Sequence, residues 1–106
     1  MMVKKWAAAF NTGDPRKVVS LYRSDGVLVP TLDEKILIGH SGMGPYFVNL
    51  LMKKGAKVVV NDFVSRNGVE SGFYTFYLAD GSQLGARFTF VPQGGKIQTH
   101  HSSAIP

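Results

Sequence analysis

Residues 57–105 read KVVVNDFVSRNGVESGFYTFYLADGSQLGARFTFVPQGGKIQTHHSSAI, and this stretch decides the fold. It divides into KVVVNDFVSR, VESGFYTFYLA, SQLGARFTFVP and KIQTHHSSAI, each rich in the β-branched and aromatic residues that suit a pleated surface. Between them stand Asn67-Gly68, Asp80-Gly81 and Gln93-Gly94-Gly95. Asn-Gly and Asp-Gly favour tight hairpins, because both central residues of that turn need positive φ. The pattern predicts an antiparallel meander of four strands.

Ahead of the meander the period is helical. Val3, Trp6, Ala7 and Phe10 recur at spacings of three and four over residues 2–11 and make one apolar face. Gly13 stops that helix. Asp14 and Pro15 supply an N-cap and a first-turn proline for a second, short helix, with Val18, Val19, Leu21 and Tyr22 on its buried side. Ser24-Asp25-Gly26 reads as its terminating turn. VLVP (27–30) and KILIG (35–39) flank TLDE and form a small hairpin. A third helix is capped by Ser41, holds Pro45 in its first turn, buries Tyr46, Phe47, Leu50 and Leu51, and ends at Gly55. The order is ααββαββββ, a single α+β domain over residues 1–106 in which a curved antiparallel sheet wraps around the N-terminal helices. Such curling leaves a cavity between sheet and helices, the usual form of a small-molecule site.

Composition narrows the function. At 106 residues, 44% hydrophobic and 18% charged, the chain suits one self-supporting core rather than a disordered segment. It has no cysteine, which excludes disulfides, thiolate metal sites and cysteine nucleophiles together. The net charge is +5, but the basic residues are scattered. Their one cluster, Lys53, Lys54 and Lys57, falls at a helix end, where cations complement the macrodipole. Without a basic stripe interleaved with aromatics, no nucleic-acid partner is expected. The N-terminal apolar stretch is broken by Asn11-Thr12-Gly13-Asp14-Pro15 too early for a signal peptide, and no segment nears the roughly 20 apolar residues of a membrane span. No membrane partner is expected, and a cytoplasmic location is the default.

Particular words in the chain are similar to a known family. WAAAFNTGDPRKVVSLYRSDGVLVPTL (6–32), YFVNLL (46–51), ARFTFV (86–91) and the ending GKIQTHHSSAIP (95–106) resemble the nuclear transport factor 2-like (SnoaL-like) cone fold. Within it they are similar to bacterial SgcJ/EcaC-type proteins related to the association domain of calcium/calmodulin-dependent protein kinase II. The likeness runs over essentially the whole chain. It implies a cystatin-like cone, a homodimer or higher oligomer formed through the convex sheet face, and a pocket. The first helix here is about half the length usual in that family.

The candidate chemistry is sparse. Adjacent residues of a strand point to opposite faces, so His100 and His101 do not chelate one ion together, and Ser102 and Ser103 are likewise divided. No carboxylate in that strand stands behind a histidine to complete a nucleophilic triad. His40 follows a glycine in a loop, and no spacing suits a metal. The resemblance to ketosteroid isomerases places their base near Pro30, their tyrosine near Trp6 and their second acid near Ala86, all of the wrong chemical type. Asp62 is the carboxylate set within a strand; facing the cavity it would be a general-base candidate, with His100 as the other, and facing outward it would be a solvated or salt-bridged group near Arg66. Arg87 matches an arginine that, in the kinase association domains, lines an inward pocket accepting carboxylates. Its planar fork binds a carboxylate bidentately; the alternative is a structural arginine bridged to Glu70 or Asp62.

These readings define two expectations. The first is a non-catalytic homo-oligomeric domain whose pocket takes a small acidic or aromatic ligand through Trp6, Tyr22, Tyr74, Arg87, His100 and Ser102. The second is a small cofactor-independent isomerase, dehydratase or cyclase acting on a hydrophobic substrate with Asp62 or His100 as base. Neither uses a metal or cofactor, and no nucleotide-binding glycine motif is present.

Overall fold

The computed structural model describes all 106 residues, Met1–Pro106. Helix α1 (Met2–Asn11) and the short α2 (Pro15–Val19) come first, followed by β1 (Tyr22–Val29), β2 (Leu37–Ile38) and α3 (Gly39–Phe47). A π-helical turn, Val48–Lys53, continues α3. The meander follows as β3 (Lys57–Arg66), β4 (Val69–Tyr77), β5 (Gln83–Gln93) and β6 (Lys96–Ala104). The strands make one six-stranded sheet in the order β2-β1-β6-β5-β4-β3. No helix is long and apolar enough to cross a membrane.

The predicted α+β order and the four-stranded antiparallel meander are both present. Three details differ. β1 begins at Tyr22 and includes Ser24-Asp25-Gly26, although its pairing with β6 breaks there: Tyr22 lies opposite Ile97 and Val27 opposite Thr99. Gly26 permits this, because a Cβ there would meet the carbonyl oxygens of Arg23 and Ile97 at 3.0 and 3.1 Å. β1 lies parallel to β6, the one parallel pairing in the sheet, while β1 and β2 pair antiparallel as the hairpin requires. α3 begins at Gly39, two residues before Ser41, and has no side-chain cap. Its π-helical continuation buries the adjacent Leu50 and Leu51 together.

All the helices pack on one sheet face. That inner face carries Tyr74, Phe76, Ala86, Phe88 and Phe90, which join Val3, Trp6 and Phe10 of α1 and Met43 and Phe47 of α3 in a single core. Burying an aromatic or large aliphatic side chain contributes roughly 1.5–3 kcal/mol, so this cluster supplies most of the driving force. α1 is fixed at both ends. Glu70, only 5% exposed, accepts hydrogen bonds from the backbone N–H groups of Met2 and Val3 at 2.7 and 2.8 Å. A carboxylate there satisfies two of the four N–H groups left free at a helix start and complements the dipole. At the other end the Asn11 amide bonds both the N–H and the C=O of Val58, at 2.8 and 2.9 Å.

Strand β3 is a sheet edge, and such edges invite unwanted pairing. Asn11 occupies its backbone groups at Val58, and Asp62 Oδ1 accepts from the N–H of Phe63 at 2.9 Å. The register also breaks between Val60 and Asp62, leaving Asn61 as a bulge. Gly72 lies opposite this break, where a Cβ would fall 2.1 Å from the Asp62 carbonyl oxygen. Only glycine fits there.

Candidate functional site

Strand alternation sends His100 and Ser102 inward from β6, Tyr74 inward from β4 and Tyr22 inward from β1, beneath Trp6 of α1. These five sequence-predicted residues meet in one buried chain of hydrogen bonds. Trp6 Nε1–H donates to Tyr22 Oη at 3.0 Å, and Tyr22 Oη lies 2.6 Å from His100 Nδ1. His100 Nε2 is 3.1 Å from Tyr74 Oη, which donates to Ser102 Oγ at 2.6 Å; Ser102 in turn meets Thr31 Oγ1. Phe90 stacks on the imidazole with ring centroids 4.0 Å apart.

The chemistry of the groups sets the direction of this chain. Indole is a donor only and takes one lone pair of the Tyr22 oxygen, while Tyr74 Oη directs its proton to Ser102 and so can only accept from His100. His100 is therefore protonated at Nε2, donates to Tyr74, and the sequence runs outward to Thr31. Hydrogen bonds aligned head to tail reinforce one another in a low-dielectric interior. Burial holds His100 neutral, its pKa lowered to about 3, with a smaller contribution from His101. Burial likewise pushes the Tyr22 and Tyr74 hydroxyls up, so both stay protonated.

Little space remains beside this chain. The cavity bounded by Trp6, Tyr46, Leu50, Tyr74, His100 and Ser102 measures about 10 Å³. That is room for about one water, far below the roughly 300 Å³ of a small-molecule pocket. The open cavity expected between sheet and helices is filled by Trp6, Tyr74 and Phe90 packing on one another. Tyr46 closes it from α3, its own hydroxyl pKa raised to about 12 by burial.

Arg87 and Asp62 are elsewhere. Arg87 does not stand beside Tyr74, His100 and Trp6, as the resemblance implied. It alternates with the buried Ala86 and Phe88 and projects from the outer face of the sheet. Asp62 is not paired with His100 either. The bulge at Asn61 turns it outward, opposite Phe73. Nor does Arg87 bridge to Glu70, whose carboxylate is held by α1; the ion pairs of the molecule are Arg16–Asp14 and Arg23–Asp25.

On the outer face, four residues from four strands line up in one row: Asp62, Phe73, Arg87 and Ser103. The neighbouring row is Val64, Ser71, Thr89 and His101. Together these rows line a depression of about 400 Å³. Phe73 is 44% exposed at its centre, with Val59, Val64, Tyr77 and Val91 also exposed. Sequence reading offered Arg87 a bridge to Glu70 or Asp62; neither bridge forms, and the pairing register instead sets Asp62 and Arg87 on either side of Phe73 in one row. Sequence reading also missed the helix-holding role of Glu70.

The same fold occurs in a Xanthomonas campestris protein assigned to the calcium/calmodulin-dependent protein kinase II association domain. It is 38% identical, has a TM-score of 0.84, and the match covers 98% of this chain and 83% of that one. A Methylobium petroleophilum protein of unknown function with a cystatin-like fold matches with a TM-score of 0.86 at 10% identity, over 99% of this chain and 74% of that one. A Catenulispora acidiphila protein with a ketosteroid isomerase-like fold, in complex with trimethylamine, matches with a TM-score of 0.83 at 13% identity, over 95% and 82%. The last two share the fold alone. No protein-family model and no curated protein matches the chain.

Proposed function

The chain belongs to the nuclear transport factor 2-like family that includes the calcium/calmodulin-dependent protein kinase II association-domain proteins, and from that premise we propose that it is a self-associating domain. Two copies join through the outer face of β3–β6. The observation that carries this reading is the exposed Phe73 at the centre of a row with Asp62 on one side and Arg87 on the other. A self-associating surface must complement itself, and a row with opposite charges flanking a ring does so. The relative at 38% identity is assigned as an association domain, which points the same way. Facing depressions leave space between copies for a small acidic or aromatic ligand, lined by Ser71, Thr89 and His101 beside the row of Asp62, Phe73 and Arg87.

Sedimentation velocity of the chain and of Phe73→Asp tests the reading. A dimer for the parent and a folded monomer for the variant support it; a parent that sediments as a monomer overturns it.

The rival reading, a small isomerase, dehydratase or cyclase, is favoured by one observation: a neutral imidazole held between two tyrosine hydroxyls. A substrate would have to displace Tyr46 or Leu50 to reach His100, because the space beside it is only about 10 Å³. Asp62 takes no part in that version. Turnover lost in His100→Gln, in a variant that still associates, would favour the rival.

A further inference from the structure

We infer that the two copies meet in a specific register, with Asp62 of each opposite Arg87 of the other across a two-fold axis that lies between the sheets and follows β4 at Phe73. The inference rests on the self-association reading and adds the residues that determine which partner is accepted.

The geometry follows from the pairing register. Asp62 stands one strand from Phe73 on β3, and Arg87 one strand from Phe73 on β5. Neighbouring strands are about 4.8 Å apart, so the two charges sit on either side of the ring at nearly equal distances. A two-fold axis running along β4 exchanges those two sides. It therefore places each carboxylate over the other copy's guanidinium and ring over ring, and in the next row it sets Val64 over Thr89. Shifting the axis by one strand to β5 would instead oppose the two Arg87 residues and leave Asp62 unmatched. A shift to β3 would oppose the two Asp62 residues.

Both charges are available for this use. Neither takes part in the two ion pairs within the chain, and both side chains are exposed. Only Oδ1 of Asp62 is engaged, by the adjacent Phe63 N–H, which orients the carboxylate and leaves Oδ2 free. Asp62 is the one carboxylate lining the depression and Arg87 its one guanidinium. His101 lies at the rim of the depression on β6, two strands from Phe73. A like-charge juxtaposition across such a face disfavours the wrong partner, which makes the pair a specificity device as much as a source of affinity.

The experiment is a charge-reversal mixing test read by sedimentation. Asp62→Arg gives a chain with two cations on its row, and Arg87→Asp gives one with two anions. Each alone is expected to associate at least about 10-fold more weakly than the parent, and an equimolar mixture of the two is expected to form a one-to-one dimer. Circular dichroism checks that each variant is folded. Should Asp62→Arg disturb the bulge and fail to fold, Asp62→Asn and Arg87→Gln serve instead: each should weaken the dimer and flatten its dependence on salt. A parent dimer whose reversed variants do not pair in the mixture, or whose neutral variants keep the parent's affinity and salt dependence, overturns the register and leaves self-association standing. A parent that is monomeric throughout overturns both.

Discussion

Tyr22 Oη lies 2.6 Å from Nδ1 of His100, and Trp6 donates to the same oxygen. Tyr74, which donates to Ser102 and so accepts from Nε2, sets the tautomer of that histidine on the last strand. Because the imidazole is buried and already satisfied at both nitrogens, it resists a proton until about pH 3.

The unfolded chain has no such resistance, and an ordinary histidine titrates near pH 6.5. Below that value the unfolded state binds a proton that the folded state refuses. The contribution of His100 to stability is therefore complete above about pH 6.5 and falls by about 1.4 kcal/mol per pH unit toward pH 3. Urea unfolding at a series of pH values should show this slope, and His100→Gln should reduce it by one proton's worth. Identical slopes in the two chains would refute the assignment.

Glu70 holds the start of α1, and α1 carries the only tryptophan. Glu70→Ala leaves two buried N–H groups without their acceptor and is expected to cost about 2 kcal/mol. Glu70→Gln keeps one acceptor oxygen and should cost less. Unfolding followed by Trp6 fluorescence measures both.

Gly72 and Gly44 make a contrasting pair. A methyl group at Gly72 would meet the Asp62 carbonyl oxygen at 2.1 Å, whereas at Gly44, inside α3, it meets nothing within 4 Å beyond its chain neighbours and its own helix. Gly72→Ala should destabilise by more than about 3 kcal/mol through forced backbone movement. Gly44→Ala should change stability by less than about 1 kcal/mol, because the helix preference of alanine is opposed by the crowding of its Cβ against the ring of Pro45. Thermal unfolding of the two variants reads the difference directly.

Much of this is legible in the amino-acid sequence. Hairpin signals at Asn67-Gly68 and Asp80-Gly81 marked two of the turns of the meander. Alternation in LGARFTFV separates Arg87 from Ala86, Phe88 and Phe90, which is where the structure leaves it; the family resemblance pulled it inward, and the alternation prevailed. Alternation in VESGFYTFY also puts Glu70 on the same face as Tyr74 and Phe76, a sign that this carboxylate is buried. Asp62 was harder. An unbroken strand would place it with Val58 and Val60 facing the helices, and only the bulge at Asn61 reverses it. Bulges leave weak marks in sequence, although Gly72 across the ladder is one. The filling of the interior was not legible at all, because it depends on how Trp6, Tyr46 and Leu50 meet from three separate segments.

The outer sheet face is the centre of the account, and the mass of the particle in solution tests it most directly. Static light scattering over a wide concentration range at neutral pH should give about 23 kDa, twice the 11.6 kDa chain, falling toward the single-chain value only on dilution. A constant mass of one chain at every concentration would contradict it.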